Sequence, residues 1–350
     1  MLKYLNLGNL PGQQSMLIFH ALARLGFEGL VTVSPTIPIA SIGYFQDATK
    51  EIDLDYCKKL GIPVMRREVG GGATYLDKNQ IFYQLIWKKG NNHFPSKIKD
   101  VFFYLSQPVC DTYRDFGIQT YFRPENDIIT NDQRKISGEG GGDIGNRMVF
   151  VGGILIDFDY ETMTKILKVP DEKFRDKIYT SIKENLTTMK RELGTMPDKN
   201  EIIKSLRFNY EKLLGELNPV TLDRSTIEKM IELEHWFNSD DFLYKKTPKL
   251  PKGVKIREGV EILYSTYKSR GGLIRTAQEI RKEIIEDISI SGDFQFYPKS
   301  ELSGLEKNLK KTKRKENSII SKIEDFYDDQ NIESPGVEPE DVTDAIMEAK

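Results

Sequence analysis

Two arginines and a run of glycines lie close together near residue 70, in a spacing that suits an anionic ligand. Arg66 and Arg67 follow a β-like run at 61–65, and Gly70–Gly72 come shortly after them. Consecutive glycines let the main chain approach a ligand closely, and guanidinium groups bind phosphate or carboxylate through two hydrogen bonds. The segment therefore predicts a site for an anion. Taken alone, it fits equally well a tight turn beside two surface charges.

The spacing of these glycines excludes two common nucleotide sites. The segment has neither the GxxxxGK[ST] pattern of a P-loop nor the GxGxxG pattern of a Rossmann fold. Any nucleotide bound here must be held by another arrangement of backbone and charge.

A second group of candidate residues follows further along the chain. Asn126 and Asp127 precede Lys135, which opens a β-like run and is followed at once by small residues up to Gly138. An ammonium group is a compact point charge and can stabilise charge that develops at phosphorus. Taken alone, Lys135 is better explained as a solvated lysine and Asp127 as a turn residue.

The elements that must position these residues change in character along the chain. Up to about residue 158, β-like runs and helical stretches alternate with glycine-rich joints, which predicts an α/β layer. From 161 to 237 helical periodicity dominates, with Asp171, Asp198 and Ser225 as predicted N-caps, the last in a capping box with Glu228. The predicted strands are Gly29–Val33, Ile62–Arg66, Val101–Leu105 and Met148–Phe158, and the predicted helices are Met16–Gly26, Leu54–Leu60, Gln80–Lys88, Glu172–Arg191, Lys199–Leu214 and Ser225–Phe237.

A linker is predicted at 245–253, where two prolines and four lysines occur in nine residues. It divides the chain into a domain at 1–244 and a smaller α+β domain at 254–350. The smaller domain is predicted to contain strands at Val260–Tyr267 and Ile284–Ile290 and helices at Leu302–Leu309 and Ile319–Phe326.

Composition restricts the classes of protein that remain. The 350 residues carry 51 Lys+Arg against 53 Asp+Glu, so the net charge gives no reason to expect a nucleic acid or an anionic membrane as partner. The basic run Lys307–Lys315 lacks interleaved aromatic residues and is interpreted as a solvated face, or as a surface that steers acidic carriers. Two cysteines and three histidines argue against a disulfide framework and a His-rich metal site. We expect a cytoplasmic monomer without a signal peptide or a membrane span.

The glycine motif, the Asn-Asp pair and Arg-Lys-Ile-Ser-Gly, in this order, resemble the lipoate–protein ligases. Those enzymes share their catalytic fold with biotin–protein ligases and octanoyltransferases. The resemblance extends to Ser41–Gln46, to Asp55–Pro63, to Lys168–Lys173 and, in the C-terminal part, to Ile285–Phe294. It implies an α+β (α/β) fold of the biotin/lipoate ligase type, with a mixed sheet, flanking helices and a small α+β accessory domain.

The resemblance also implies an activity and roles for individual residues. Members of the family activate lipoate with ATP and Mg²⁺ to lipoyl-AMP, then pass the lipoyl group to a lysine of a carrier domain, such as an E2 subunit of a 2-oxoacid dehydrogenase or the glycine cleavage H protein. Lys135 would bridge the acyl carbonyl and the α-phosphate and so be catalytic. The other implied contacts are Arg67 to the phosphates; Gly72, Ala73, Thr74 and Tyr75 to the adenylate; Gly70, Gly71 and Gly138, with Lys135, to lipoate; and Asn126 and Asp127 to the ribose or a metal ion, whose ligands stay unassigned.

The sequence departs from the family pattern at histidine positions. Leu76 precedes Asp77 where many relatives have His, and the run 151–155 lacks the His found in many relatives. The loop Glu139–Asp143 is richer in glycine than usual and is interpreted as a mobile cover or a flexible turn.

Two other functions stay open at this point. An octanoyltransferase of the same fold would need an accessible nucleophilic cysteine, yet Thr120 stands near the position of that cysteine, and Cys57 and Cys110 are expected to be buried. A non-catalytic protein that binds lipoate or a carrier is supported only by the missing histidines.

Overall fold

A computed structural model describes residues 1–169, 174–248 and 260–350. The strands are β1 Lys3–Leu10, β2 Gly29–Pro35, β3 Ile39–Ile42, β4 Val64–Arg66, β5 Thr74–Leu76, β6 Gln80–Lys88, β7 Thr120–Arg123, β8 Asp127–Thr130, β9 Lys135–Ile144, β10 Arg147–Leu155, β11 Asn218–Pro219, β12 Val260–Ser269, β13 Gly272–Arg281 and β14 Ile284–Gly292. The helices are α1 Gly12–Arg24, α2 Ala48–Glu51, α3 Leu54–Leu60, α4 Ile98–Asp115, α5 Tyr160–Ile166, α6 Arg175–Asn185, α7 Met189–Leu193, α8 Lys199–Leu214, α9 Arg224–Phe237, α10 Asp240–Leu243, α11 Glu301–Leu309, α12 Glu316–Gln330 and α13 Pro339–Met347.

A large mixed sheet forms the centre of the N-terminal part. Its strand order is β11-β1-β2-β6-β10-β9-β8-β7, with β1 parallel to β2 and β11 and the other neighbours antiparallel. One hydrophobic cluster packs α4 and α8 against the sheet, and a second cluster packs α1 and α9. The sheet is therefore a rigid layer covered by helices, and β9 in it carries Lys135.

A second, three-stranded sheet positions the glycine motif. Its central strand β3 is parallel to β4 and antiparallel to β5. Because β4 ends at Arg66 and β5 begins at Thr74, residues 67–73 form the connection between two strands of one sheet. We call these residues the glycine segment.

Residues 260–350, which we call the C-terminal module, form an antiparallel sheet in the order β12-β13-β14 with helices α11, α12 and α13. The module has its own hydrophobic cluster, which also includes Phe45 from the N-terminal part. The Phe45 and Phe294 rings stack with their centroids 5.4 Å apart. The two parts therefore share an apolar contact close to the glycine segment.

The predicted α+β fold with a mixed sheet is confirmed, but several elements differ from the sequence prediction. Residues 80–88 form strand β6 instead of a helix, because all but the last residue are buried between helices on both faces of the sheet, which removes the period-two pattern. Residues 101–105 lie inside helix α4 and not in a strand. Strand β13 was not predicted, since it combines polar and charged residues with short apolar ones.

Helix ends and one loop also differ. Helix α9 is capped by the Asp223 side chain and not by a capping box at Ser225. The stretch Glu139–Asp143 is neither a loop nor a turn, but part of strand β9. The predicted helix at 172–191 is divided into α6 and α7. Asp171, part of the Lys168–Lys173 motif, and residues 249–259, which include most of the predicted linker and the start of the smaller domain, lie outside the described residues.

No helix within the described ranges is long and apolar enough to cross a membrane.

Candidate active site

The glycine segment is fixed by main-chain hydrogen bonds on both sides. Gly70 N–H donates to Gly141 O of β9 at 3.0 Å, and Tyr44 N–H donates to Val69 O at 3.0 Å. Gly71 has φ +96°, and its carbonyl oxygen lies 1.9 Å from where a Cβ of Gly43 would be. These contacts explain the glycines at positions 43 and 71. A side chain at Gly71 would strain the backbone, and one at Gly43 would push the two segments apart.

Arg66 is a structural residue in this fold. Its side chain is fully buried and donates to five main-chain carbonyl oxygens at 2.5 to 3.0 Å. Three of these carbonyls belong to the loop after β3, and two belong to Phe242 and Leu243 at the end of α10. The sequence suggested that both arginines could bind an anion, but the donors of Arg66 are already used.

Arg67 is buried and lacks a carboxylate partner within the described part of the chain. Its Nη2 donates to Gly70 O at 3.0 Å and Gly72 O at 2.8 Å, and Nη1 makes only long contacts to Ser41. Burial, together with the smaller effect of the neighbouring Arg66, lowers the pKa of Arg67 to about 10. An uncompensated buried cation is costly, so this position attracts an anion.

Lys135 begins β9 and points its ammonium toward the β8 hairpin. Its Nζ lies 2.6 Å from Oδ1 of Asp127, and Arg123 contacts the other oxygen of that carboxylate at 2.7 Å. Asn126 is fixed by its Nδ2, which donates to the main-chain oxygen of Glu139 at 2.6 Å. Gly138 is needed because a Cβ there would lie 2.7 Å from the end of the Lys135 side chain.

Alternate glycines of β9 connect Lys135 with the glycine segment. Residues two apart in a strand point to the same face, and Gly138, Gly140 and Gly142 occupy such positions. A Cβ at Gly138 would meet Lys135, and one at Gly140 would lie 3.1 Å from Gly70 O. Since Arg67 donates to that same Gly70 oxygen, the two cationic side chains flank one glycine-lined face.

The remaining predicted contacts lie next to this face. Gly72, Ala73 and Thr74 are half-buried, and the Gly72 oxygen accepts from Arg67. Thr74 Oγ1 donates to Ser41 O at 3.4 Å, and Tyr75 is buried with its ring edge-on to Phe158. Small and half-buried residues leave room for a ligand beside the main chain.

A buried histidine supports the glycine segment from behind. The Nε2 of His20 accepts from Glu68 N–H, and its Nδ1 donates to Met16 O, both at 3.0 Å. Burial lowers the pKa of His20 to about 3, so the ring is neutral. Sequence reasoning missed this residue, since an isolated histidine in an apolar helix carries no local signal of such a contact.

Glu68, inside the glycine segment, links it to both parts of the chain. Its carboxylate lies 2.7 Å from Arg24 and 3.3 Å from Lys299 of the C-terminal module. Burial alone would raise the pKa of Glu68, but Lys299 and Arg24 lower it to about 2. The segment is therefore held by charge as well as by the main chain.

Neither cysteine is available as a nucleophile. Cys57 and Cys110 are both buried. Burial raises the pKa of Cys57 to about 11 and that of Cys110 to about 12, so both are protonated thiols at neutral pH.

The described residues include no group of three or more His, Cys, Asp or Glu side chains placed to hold a metal ion. Asp127 already faces two cations, so it does not offer a free carboxylate. A cavity of about 330 Å³ lies elsewhere, between Trp87, Phe94 and Tyr297, and Arg67 and Lys135 do not line it.

The chain belongs to the lipoyl protein ligase A/B family. Residues 28–210 match the family model described as the lipoyl protein ligase A/B catalytic domain. This range contains both the glycine segment and Lys135.

Relatives of both activities are similar to this chain. Lipoate-protein ligase A subunit 1 of Thermoplasma acidophilum is 29% identical over 210 residues, which cover 56% of this chain and 79% of that protein. Octanoyltransferase LipM of Staphylococcus epidermidis is 25% identical over 59% of this chain and 83% of its own. Lipoate-protein ligase LplJ of Bacillus subtilis is 27% identical over 82% of this chain and 81% of its own.

Solved structures show the same fold. A bipartite lipoate protein ligase from T. acidophilum, described together with its E2 lipoyl domain, has a TM-score of 0.64 and 26% identity over 72% of this chain and 99% of its own. The LipL1 structure from Plasmodium falciparum, in complex with lipoate, has a TM-score of 0.72 at 18% identity over 99% of both chains. The second likeness concerns the fold alone, and it includes the C-terminal module.

Proposed function

We propose that this protein is an ATP-dependent lipoate–protein ligase, which forms lipoyl-AMP and transfers the lipoyl group to a specific lysine of a lipoyl carrier domain. The observation that carries the proposal is the buried guanidinium of Arg67, which lacks an acidic partner among the described residues and flanks the same glycine-lined face as Lys135. Carboxylate and triphosphate repel each other, so a site that joins them must supply positive charge to both.

Adenylation is the first step. A carboxylate oxygen of lipoate attacks the α-phosphorus of ATP, and pyrophosphate leaves with the electron pair of the broken P–O bond. Lys135, fixed by Asp127, would bridge the acyl and α-phosphate oxygens where negative charge increases. Arg67 would neutralise the phosphates from the other side.

Transfer is the second step. The neutral amine of a carrier lysine attacks the acyl carbonyl, the C–O bond to AMP breaks, and the new amide loses a proton. The carrier lysine is positioned more than it is activated. Lys135 would then stabilise the departing AMP, so one ammonium would serve both steps.

The contacts implied by the family resemblance complete the proposal. Gly72, Ala73, Thr74 and Tyr75 would form the wall of the adenylate site. By that resemblance Gly70, Gly71 and Gly138 would border the lipoyl chain, and Asn126 and Asp127 would lie toward the ribose.

Mg²⁺ does not fit a site made by the protein alone. Because Asp127 is paired with two cations and no acidic cluster occurs within the described ranges, a divalent ion would be held mainly by phosphate oxygens of the nucleotide. The requirement for Mg²⁺ stays a prediction.

Two observations favour a ligase over an octanoyltransferase. The acyl-transfer route needs a reactive thiol, whereas Cys57 and Cys110 are buried with raised pKa values. In addition, the alignments with two single-chain ligases extend over 82% of this chain, whereas those with LipM proteins extend over 59% to 70% of it; the T. acidophilum ligase subunit aligns with 56%.

The carrier is proposed by analogy with the T. acidophilum system, in which a ligase was described with an E2 lipoyl domain. The E2 subunits and the glycine cleavage H protein are the candidate substrates. The division into a catalytic domain at 1–244, a linker at 245–253 and an accessory domain at 254–350, a monomeric state and a cytoplasmic location are also proposals.

The test is a mass measurement on an apo lipoyl domain incubated with the purified protein. A gain of one lipoyl group that requires ATP, lipoate and Mg²⁺ supports the ligase, and a Cys57→Ser/Cys110→Ser variant should retain it. A mass gain of one octanoyl group, with octanoyl-carrier protein and without ATP, would show that the protein is an octanoyltransferase instead. Tight binding of lipoate or carrier without any gain would indicate a non-catalytic relative.

A further inference from the structure

The C-terminal module forms one wall of the glycine segment. A Cβ at Gly70 would lie 2.5 Å from Oε1 of Gln295 and 2.8 Å from the main-chain oxygen of Phe294. Asp293 lies 3.8 Å from the corresponding position at Gly72. Three consecutive module residues therefore run along the three glycines, and the missing side chains of the glycines make this approach possible.

Gln295 has a buried amide nitrogen without a hydrogen-bond partner. The residue is 4% exposed. Its Oε1 accepts from Tyr297 OH at 3.3 Å, which fixes the oxygen end of the amide. Its Nε2 is shielded from solvent and donates to no group in the described structure. A buried amide without a partner is costly and is rare in folded proteins, so an acceptor from a ligand is expected.

This nitrogen faces the same place as Arg67. Nε2 of Gln295 lies 3.7 Å, and Nη2 of Arg67 lies 3.1 Å, from the position of a Cβ on Gly71. Both nitrogens therefore lie beside Gly71. The two N–H groups of Nη2 already donate to Gly70 O and Gly72 O, so the donors left for an anion are Nε2 of Gln295 and Nη1 of Arg67, which makes only 3.4 Å contacts. Such a pair suits an oxygen of an anion.

The nearest acidic group points elsewhere. Oδ1 of Asp293 accepts from Leu273 N–H, and Oδ2 lies near Gly72 and not Gly71. The group from the module that faces Gly71 is therefore a neutral donor, which can approach a phosphate without repulsion.

We propose that Gln295 of the C-terminal module donates a hydrogen bond to a phosphate oxygen of the nucleotide bound beside Gly71. The inference rests on the proposed adenylating function and adds a residue to it. The module would then contribute directly to nucleotide binding, besides covering the site. The lipoate carboxylate is also an anion, so the separate KM values for ATP and for lipoate decide between a phosphate and a carboxylate as the acceptor.

The experiment compares Gln295→Met and Gln295→Glu with wild type in lipoate-dependent ATP–pyrophosphate exchange. Methionine keeps the length of the side chain but cannot donate, and glutamate keeps Oε1 but replaces the donor with a charge. We expect the KM for ATP to rise about 10- to 100-fold in Gln295→Met and more in Gln295→Glu, with the KM for lipoate changed less than threefold. Gln330→Met, at the exposed end of α12, is the matched control and should leave both constants unchanged.

Melting temperatures separate a ligand contact from a structural role. Gln295→Met removes a buried amide nitrogen that has no partner and one long hydrogen bond from Tyr297, so the melting temperature of the ligand-free variant should change little. An unchanged KM for ATP, or equal rises of both KM values with a lower melting temperature, would overturn the inference while leaving the ligase proposal intact. A wild-type protein without exchange activity would overturn both.

Discussion

The ammonium of Lys135 lies 2.6 Å from Oδ1 of Asp127. It can stay beside β9 because Gly138 has no side chain to displace it. Burial alone would raise the pKa of Asp127, but Lys135 and Arg123 lower it below its ordinary value. Asp127 is therefore ionised at neutral pH, and its carboxylate is shared between Lys135 and Arg123.

Lys135→Ala should reduce ATP–pyrophosphate exchange by at least about 10²-fold, the usual cost of losing a group that stabilises charge in the transition state. The melting temperature should change little, because a half-exposed ion pair contributes about 0–1 kcal/mol. Exchange kinetics and thermal melting check this, with Lys99→Ala on the exposed face of α4 as control. Near-normal pyrophosphate release would refute the role of Lys135.

Gly138→Ala should lower activity more than stability. The new Cβ would lie 2.7 Å from Cε and Nζ of Lys135, and the flexible side chain would move away. We expect an activity loss of about 10-fold from this misplacement. Gly153→Ala, whose Cβ would meet Phe82 at an ordinary 3.7 Å, is the matched control. Equal activity of the two variants would contradict the argument.

The two adjacent arginines should respond differently to Met substitution. Arg66→Met leaves five buried carbonyl oxygens without a donor and should destabilise the fold by about 3–5 kcal/mol. Arg67→Met also removes an uncompensated buried charge, so its melting temperature should fall much less, while ATP binding is lost. Melting curves with and without ATP distinguish these outcomes, and a larger loss for Arg67→Met would show that the roles are reversed.

Glu139 should make stability depend on pH. It is buried on the face of β9 opposite the glycine segment, and it accepts hydrogen bonds from Tyr83 and Ser106. Burial raises its pKa to about 8 despite these bonds. Between the unfolded pKa of about 4.3 and the folded value, only the unfolded chain has lost the proton, so this group lowers stability as pH rises.

Glu139→Gln tests the direction of that effect. The variant should melt close to wild type at pH 4 and above it at pH 8, because the amide does not ionise. A wild-type advantage that grows with pH would show that the carboxylate is already ionised in the folded protein.

Local sequence signals predicted the elements with clear ends or clear periodicity. Helix α8 was predicted at its observed bounds, because Asp198 caps it and its apolar residues recur at helical spacing. Strand β6 could not be recognised in the same way, since burial on both faces gives a run that is apolar except at Gln80, Gln84 and Lys88 and also suits a buried helix.

In the candidate site, too, some residues could be predicted from local sequence signals and others could not. Arg67 and Lys135 could be singled out because motif order marks them, although their mutual placement depends on how β9 meets the glycine segment. Gln295, His20 and Lys299 reach the site only through tertiary packing. Their types and local spacing carry no sign of this, so a single sequence could not identify them.

Arg66 binds the carbonyls of Phe242 and Leu243, shortly before the chain leaves the N-terminal part. The last described part of the chain before the connection to residues 260–350 is thus hydrogen-bonded to Arg66, the neighbour of Arg67. A cut beyond Thr247 would leave this fastening intact and would turn an intramolecular encounter into a bimolecular one. Turnover by the two fragments would then vary with their concentration, as in any complex that dissociates on dilution.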